Sequence, residues 1–113
     1  MENTREWLKI RKERAILMGA VIKGSDDGDN LEELTALAES AGAIVVDRFQ
    51  QKMATPHPVR YIGKGKAEML AERVEKYNAD VVIFDNDLSP RQIRELEKVI
   101  NTKVIDRSEL ILD

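Results

Sequence analysis

The sequence contains no cysteine and a single histidine, His57, among its 113 residues. The lack of cysteine excludes disulfide frameworks, thiolate zinc sites and cysteine nucleophiles, and one histidine argues against a histidine-based catalytic or metal site. No apolar run approaches the roughly 18 residues that a membrane-spanning helix needs, and the charged N-terminus does not resemble a secretory signal. We therefore expect a cytoplasmic protein with no membrane partner, in which any metal would be bound by oxygen.

Acidic residues outnumber basic ones only slightly, 21 to 18, and the formal net charge is −3. The bases are nevertheless concentrated in one segment. Between Asp47 and Glu68 no acid occurs, and five bases do: Arg48, Lys52, Arg60, Lys64 and Lys66. Surface potential depends on charge within about 8 to 10 Å, so this segment can attract an anion despite the negative total. On charge alone, solvated loop bases remain an equal alternative.

The apolar residues predict four short buried strands. Continuous apolar runs are typical of strands covered on both faces. The runs span residues 15–22, 43–46 with a continuation toward Phe49, 81–84 and 104–105. Three segments with helical periodicity lie between them, and they begin after Asp29, near Lys66 and after Ser89.

This alternation predicts one α/β domain over residues 1–113. We expect a small doubly wound fold with a four-stranded, mostly parallel sheet flanked by helices, in the order β-α-β-α-β-α-β. The hydrophobic fraction of 42% is enough for one modest core. Residues 1–14 predict a charged leading helix. The apolar tail at 109–113 carries no turn or capping signal, so we expect a longer parent protein.

Capping residues predict where the helices begin and end. Asn30 can cap the first helix with Glu33 reaching back, and Gly42 can end it. Asn78 fits a left-handed stop for the second helix. The strongest signal is Ser-Pro-Arg-Gln at 89–92, which supplies a cap, a proline at the first helical position and a capping-box glutamine.

Two of the predicted strand-to-helix loops are rich in acids. In the first, Asp26, Asp27 and Asp29 lack the ligand spacing of a calcium loop and would repel phosphate, which favours a flexible turn with helix capping. In the loop after the third strand, Asp85 and Asp87 lie at the carboxyl edge of the sheet. They are weak candidate magnesium ligands, and a structural role, with Asp87 bonding loop amides, is the favoured interpretation.

The remaining loop, residues 50–65, is long for a connection that usually has about 2 to 6 residues. It leads into Gly63-Lys64-Gly65-Lys66 at a predicted helix entrance, where glycines, helix amides and two lysines would favour an anion. The motif is not a P-loop, because Ala67 stands where a hydroxyl would bind magnesium. Phosphate or RNA contact therefore competes with a glycine turn carrying solvated lysines. His57, between two prolines, is interpreted as a loop residue rather than a catalytic base.

Several blocks occur in a fixed order in the second half of the chain. They are YIGKGK at 61–66, VIFDNDLSP at 82–90, RELE at 94–97, VIDR at 104–107 and LILD at 110–113. Together they resemble the N-terminal domain of the HflX-type GTPases, and the first half resembles that family more loosely. One departure is Glu95, which stands where the family commonly has asparagine.

The resemblance implies a translation-associated, ribosome-binding GTPase that acts on the large ribosomal subunit and is linked to splitting stalled ribosomes. It implies a helical hairpin and a GTP-hydrolysing domain beyond this segment, with GTP and magnesium as cofactors of the parent and no GTPase activity in these residues. Adenine-nucleotide binding is also credited to this domain in the family.

Three functional hypotheses follow. The first is a ribosome-contacting module that binds ribosomal RNA through Arg60, Gly63, Lys64, Gly65 and Lys66. The second is an ATP site at the same corner, with Asp85 or Asp87 holding magnesium. The third is an intramolecular role, in which the domain packs on the C-terminal GTPase domain of the same chain and regulates it.

Overall fold

The computed structural model of the chain describes residues 10, 12–22 and 31–111. The predicted leading helix over 1–14 lies almost entirely outside the described residues, although Arg14 already belongs to the first strand. Asp26, Asp27, Asp29 and Asn30 also lie outside them.

The described residues form four strands and four helices in strict alternation. In chain order they are β1 (Arg14–Ile22), α1 (Glu32–Ser40), β2 (Ile44–Met53), α2 (Lys64–Tyr77), β3 (Val81–Phe84), α3 (Pro90–Ile100), β4 (Lys103–Asp106) and α4 (Arg107–Ile111). The strand order in the sheet is β2-β1-β3-β4, and every neighbouring pair is parallel. The predicted α/β architecture is therefore confirmed, with α4 as a short additional helix.

The core has two apolar layers, one on each face of the sheet. On one face, α1 and Leu110 of α4 pack over Leu17 and Ile83. On the other, α2 and α3 pack over Met18 and Phe84. Because helices cover both faces, every side chain of β3 is buried, which explains why that strand is a continuous apolar run rather than an alternating one.

The second strand extends further than its apolar run predicts, since Gln50, Gln51 and Lys52 belong to β2. As an edge strand it is covered less completely, so polar residues are tolerated along its length. Its register with β1 shifts by one residue, because Ala15 pairs with Val45 and Ile16 pairs with Asp47. The shift lies where the apolar run of β2 ends. The predicted loop at 50–65 is shorter as a consequence.

The predicted cap of α1, Asn30, lies outside the described residues. Among those described, the N-cap residue of α1 is Leu31, in the left-handed conformation, and Glu33 pairs with Arg107. Leu31 is only 1% exposed because its side chain lies over Gly19, where a Cβ atom would come within 2.6 Å of it. Burial of Leu31 in the core therefore fixes the start of α1.

The other predicted helix boundaries hold closely. Gly42, with φ of 94°, follows the end of α1, and Asn78, with φ of 54°, ends α2 in the left-handed conformation. The start of α2 is Lys64, two residues before the predicted position, with Gly63 as its N-cap. The capping box of α3 is complete, since Ser89 Oγ accepts from the Gln92 amide at 3.1 Å and Gln92 Oε1 accepts from the Ser89 amide at 2.9 Å.

Replacing Ser89 by alanine is expected to lower the free energy of unfolding by about 1 kcal/mol, because it removes the acceptor for an amide of the first turn of α3. Urea unfolding followed by circular dichroism measures the change. Ser40→Ala, at the exposed end of α1, is the matched control and should change stability by less than about 0.5 kcal/mol. Equal losses in the two variants would contradict a capping role for Ser89.

Candidate functional site

The carboxyl edge of the sheet has its topological switch point between β1 and β3. The chain leaves β1 toward β2 on one side, while β3 and β4 lie on the other. In doubly wound folds a ligand usually binds at such a point.

At the switch point, the side chain of Asn86 occupies the space beside β1. The two strands pair through Met18 and Phe84, and the Asp85 amide donates to the Met18 carbonyl at 2.8 Å. Beyond that bond β3 has ended while β1 continues. There Asn86 Oδ1 accepts from the Ala20 amide at 2.8 Å, and Asn86 Nδ2 donates to the Ala20 carbonyl at 2.9 Å. The amide side chain thus takes the place of a strand residue.

The carboxylate of Asp85 is engaged by the first residue of α4. Arg107 Nη1 donates to Asp85 Oδ1 at 2.8 Å, and Arg107 Nη2 pairs with Glu33 of α1. These contacts raise the pKa of Arg107 above its usual value, chiefly through Glu33 and then through Asp85. The sequence reasoning missed this contact, although Arg107 stands directly after a predicted strand.

Asp106, and not Asp87, accepts the amide hydrogen bonds that were predicted from the sequence for Asp87. Asp87 Oδ1 accepts from the Ser108 hydroxyl at 2.5 Å, so the predicted bond to loop amides is wrong. Asp106 is the residue that accepts from amides, those of Leu88 and Glu109, each at 2.9 Å. It can do so because Asp106, a residue only 6% exposed, ends β4 between the loop that precedes α3 and the first turn of α4.

Among the described residues no group of three or more acids and histidines is arranged to hold a metal ion. The weak candidates Asp85 and Asp87 are bound to Arg107 and Ser108 instead. Within the described part of the chain, no helix is long and apolar enough to cross a membrane.

The segment before α2 is fixed by His57 and Gln92. His57 and Tyr61 exchange two backbone hydrogen bonds of 2.8 Å, and His57 Nδ1 accepts from the amides of Val59 and Arg60 at 3.1 and 3.4 Å. Gln92 Nε2 donates to the carbonyls of His57 and Pro58 at 3.3 Å. His57 therefore organises the loop, and the glutamine of the α3 capping box holds it against that helix.

Tyr61 and Ile62 anchor the same segment to the sheet. Tyr61 has φ of 67°, in the left-handed region that non-glycine residues rarely adopt. This turn directs Ile62 into the core, where it is fully buried beside Ala67 and Leu70 of α2. Burial raises the pKa of the Tyr61 hydroxyl, a hydrogen bond with the Asn86 side chain partly offsets that, and the charge of Asp87 adds to the rise.

The first turn of α2 forms the candidate corner, which we define as Arg60 together with Gly63, Lys64, Gly65 and Lys66. The first helical hydrogen bond is from the Ala67 amide to the Gly63 carbonyl at 3.0 Å, so the three preceding amides lie at an open helix end. No side chain caps this end and no acid lies in its first turn. The space beside Gly63 and Gly65 is open. A Cβ atom at either position would meet no atom within 4 Å beyond its chain neighbours and its own helix.

Within the described residues, the cations of the corner, Arg60, Lys64 and Lys66, form no ion pair with an acid. The Nε atom of Arg60 is buried and makes no hydrogen bond to the described protein. The structure thus gathers the predicted site residues around an uncapped helix N-terminus, where backbone dipoles and side-chain charges have the same sign.

A family model described as "GTP-binding GTPase N-terminal" matches residues 28–113. GTPase HflX of Caldanaerobacter subterraneus is 45% identical over 108 residues, which are 96% of this chain and 25% of that protein. GTPase HflX of Escherichia coli is 40% identical over 101 residues, 89% of this chain and 24% of that protein. The chain belongs to the family of HflX N-terminal domains. It spans about a quarter of the length of the curated relatives it matches.

Solved structures agree with this HflX N-terminal fold. A GTP-binding protein of Sulfolobus solfataricus, crystallised with GDP, superposes with a TM-score of 0.64 over 88% of this chain and 29% of its own, at 24% identity. At that identity the likeness shows the fold alone. Two of the sequence blocks that resemble the family, VIFDNDLSP and VIDR, are in contact in the structure through Asp85 and Arg107.

Asn86 variants test the contact at the switch point. We expect Asn86→Ala to lower the free energy of unfolding by about 1 to 3 kcal/mol, because the buried Ala20 amide and carbonyl lose their partners. Asn86→Asp should lose more at about pH 7, since a carboxylate would face the Ala20 carbonyl, and should approach the wild type at about pH 4, where a protonated acid can donate. Urea unfolding at both pH values measures this. The control is Gln50→Ala, an exposed amide on β2, and a loss as large as that of Asn86→Ala would contradict the assignment.

Tyr61 can be titrated alone, because the chain has only two tyrosines and Tyr77→Phe removes the other. We expect tyrosinate absorbance to rise with a midpoint above about 10, and to return to about 10 in concentrated urea. The raised pKa means that the folded state prefers the neutral phenol. This contribution to stability is therefore complete below about pH 10 and is lost as the pH rises through the folded pKa. A folded midpoint at or below the unfolded one would contradict burial of the Tyr61 hydroxyl.

Proposed function

We propose that this domain is the ribosome-contacting N-terminal part of an HflX-type GTPase acting on the large ribosomal subunit, in the splitting or rescue of stalled ribosomes in the cytoplasm. The corner then binds phosphates of ribosomal RNA. The observation that carries the proposal is the first turn of α2, which has no cap and no acid but bears Lys64 and Lys66. Family membership supports the choice of partner.

The chemistry of the corner suits a phosphate. Three backbone amides at a helix N-terminus donate in one direction, and the helix dipole favours negative charge there. The open space around Gly63 and Gly65 lets an oxyanion approach the backbone. Contacts of this kind position a protein on nucleic acid without reading its sequence, and they weaken as salt rises.

We place GTP binding and hydrolysis, with their magnesium, elsewhere in the parent, together with the helical hairpin. The relatives are about four times as long as the matched segment, which leaves room for both. The 113-residue domain is accordingly proposed to have no GTPase activity of its own and to act on that domain through the rest of the chain.

A nucleotide such as ATP is the second candidate for the corner, favoured by the same open glycines. A triphosphate could use the amides of the first turn together with Lys64 and Lys66. Coordination of its magnesium by Asp85 would compete with Arg107, which donates to Asp85 Oδ1 at 2.8 Å. This competition makes RNA phosphate the better supported ligand.

Reversing both lysines tests the corner. We expect Lys64→Glu with Lys66→Glu to weaken binding to purified large ribosomal subunits by roughly tenfold or more near physiological salt, with a shallower dependence on salt, because two phosphate contacts are lost. Co-sedimentation over a salt series measures both quantities. The control pair, Lys12→Glu with Lys76→Glu, changes the net charge equally at exposed positions away from the corner.

Two outcomes would count against the proposal. Equal subunit binding by the two double variants would exclude the corner as a contact. Calorimetric titration of the domain with ATP and magnesium separates the second candidate, since saturable heat that Lys64→Glu with Lys66→Glu abolishes would favour the nucleotide.

A further inference from the structure

The outward face of α3 is basic along its whole length. Beyond Pro90, which begins the helix, its exposed residues are Arg91, Arg94 and Lys98. Their spacing of three and four residues places them in one line on the helix surface. That line is about 10 Å long, since each helical residue rises about 1.5 Å. We call these three residues the α3 stripe.

Exposed acids predominate on α2, which packs beside α3 and also exposes Lys76, and on α1, which lies on the opposite face of the sheet. On α2, beyond the corner, the exposed acids are Glu68, Glu72 and Glu75, again in one line. On α1 they are Glu32, Glu33 and Glu39. A uniformly solvated surface would mix both signs, so the α3 stripe is a local segregation of charge in a chain whose total is −3.

Within the described residues, one of the three cations of the stripe forms an ion pair. Lys98 forms an ion pair with Glu95 at 3.0 Å, and its side chain is 70% exposed. Arg91 and Arg94 form no ion pair within the described residues. An exposed ion pair such as Lys98–Glu95 contributes little to stability. Arg91 and Arg94 are exposed and make no such pair with the described residues, so we expect the fold not to depend on them.

The stripe is continuous with the corner. Gln92, between the two arginines in sequence, holds the carbonyls of His57 and Pro58 against the start of α3. The pKa of Glu95 is lowered chiefly by Lys98 and to a lesser extent by Arg91 and Arg60, while desolvation opposes the shift. Arg60 therefore lies within electrostatic range of the same carboxylate as Arg91, which links the corner to the α3 stripe.

We propose that the α3 stripe is a second contact surface for the phosphate backbone of RNA, so that one strand runs from the first turn of α2 along α3. The inference rests on the proposed function, and it adds Arg91, Arg94 and Lys98 as contacts. A length of about 10 Å matches roughly three nucleotides of a strand. Guanidinium groups suit phosphate because they can donate two parallel hydrogen bonds to it.

The composition of this face favours RNA over a protein partner. Protein interfaces have an apolar, often aromatic centre surrounded by a polar rim. The exposed residues of α3 offer no aromatic group, and Pro90 is their one apolar member within this helix. An acidic protein would find no apolar centre here and would have to bind through charge alone. RNA phosphates are bound mainly through charge, so they need no apolar centre.

The test uses the 113-residue chain with Arg91→Gln and Arg94→Gln together. The control is Lys12→Gln with Lys76→Gln, which changes the net charge equally at exposed sites away from the stripe. Binding to a fluorescent RNA duplex is measured by anisotropy over a salt series, and binding to large ribosomal subunits by co-sedimentation. Both variants should retain the wild-type unfolding midpoint, because the substituted side chains are exposed.

We expect Arg91→Gln with Arg94→Gln to weaken duplex binding about tenfold and to reduce the salt slope by about 1.4 to 1.8, since each of the two lost phosphate contacts lowers it by about 0.7 to 0.9. Conservative Arg91→Lys with Arg94→Lys should restore most of the slope, because the charges return. Affinity and slope equal to those of the control pair would overturn the inference.

The subunit measurement separates this inference from the proposed function. Wild-type binding to subunits with unchanged binding by Arg91→Gln with Arg94→Gln would leave the proposed function standing and remove the α3 stripe. Duplex binding that depends on the stripe, without any binding to subunits, would support the α3 stripe as an RNA contact and contradict the ribosomal partner. A loss on subunits with no change on the duplex would identify an acidic protein as the partner and overturn the RNA assignment.

Discussion

The side-chain amide of Asn86 is the contact on which the carboxyl edge of this domain depends. The first strand continues past the end of β3. Without Asn86, the backbone amide and carbonyl of the buried Ala20 would have no partner on that side of the strand. Asn86 supplies one acceptor and one donor to Ala20, as a strand residue would. Because Asn86 is fixed in this way, Asp85 and Asp87 on either side of it are held where α4 can reach them, and Tyr61 gains a polar neighbour at the edge of the sheet.

The switch point is consequently filled by the protein itself. Arg107 binds Asp85 and Glu33, Ser108 binds Asp87, and Asp106 holds the start of α4. In other doubly wound folds this crevice binds a ligand. Among the described residues, basic side chains outside these contacts lie to one side, at the first turn of α2 and along α3. They lie on the surface of the domain rather than in the crevice.

Much of the fold was predictable from local patterns. The four strands, the alternation with helices, the capping box at Ser89 and the left-handed stop at Asn78 all depend on residues close in sequence, so periodicity and cap chemistry were sufficient. The start of α1 was not predictable, because it depends on Leu31 packing over Gly19. The amide-binding role assigned to Asp87 belongs to Asp106, about twenty residues away, and only the parallel pairing of β3 with β4 brings the two together.

The sequence by itself determined the α/β architecture, the family and the basic corner, since each can be recognised from patterns within short segments of the chain. Only the tertiary structure decided that Asp85 and Asp87 are occupied by Arg107 and Ser108, because those contacts join residues more than twenty positions apart. It also decided that Gln92 of the α3 capping box binds the carbonyls of His57 and Pro58, because those partners lie more than thirty positions earlier in the chain. The buried face of α3, by contrast, follows from the helical spacing of Leu96 and Ile100 in the sequence.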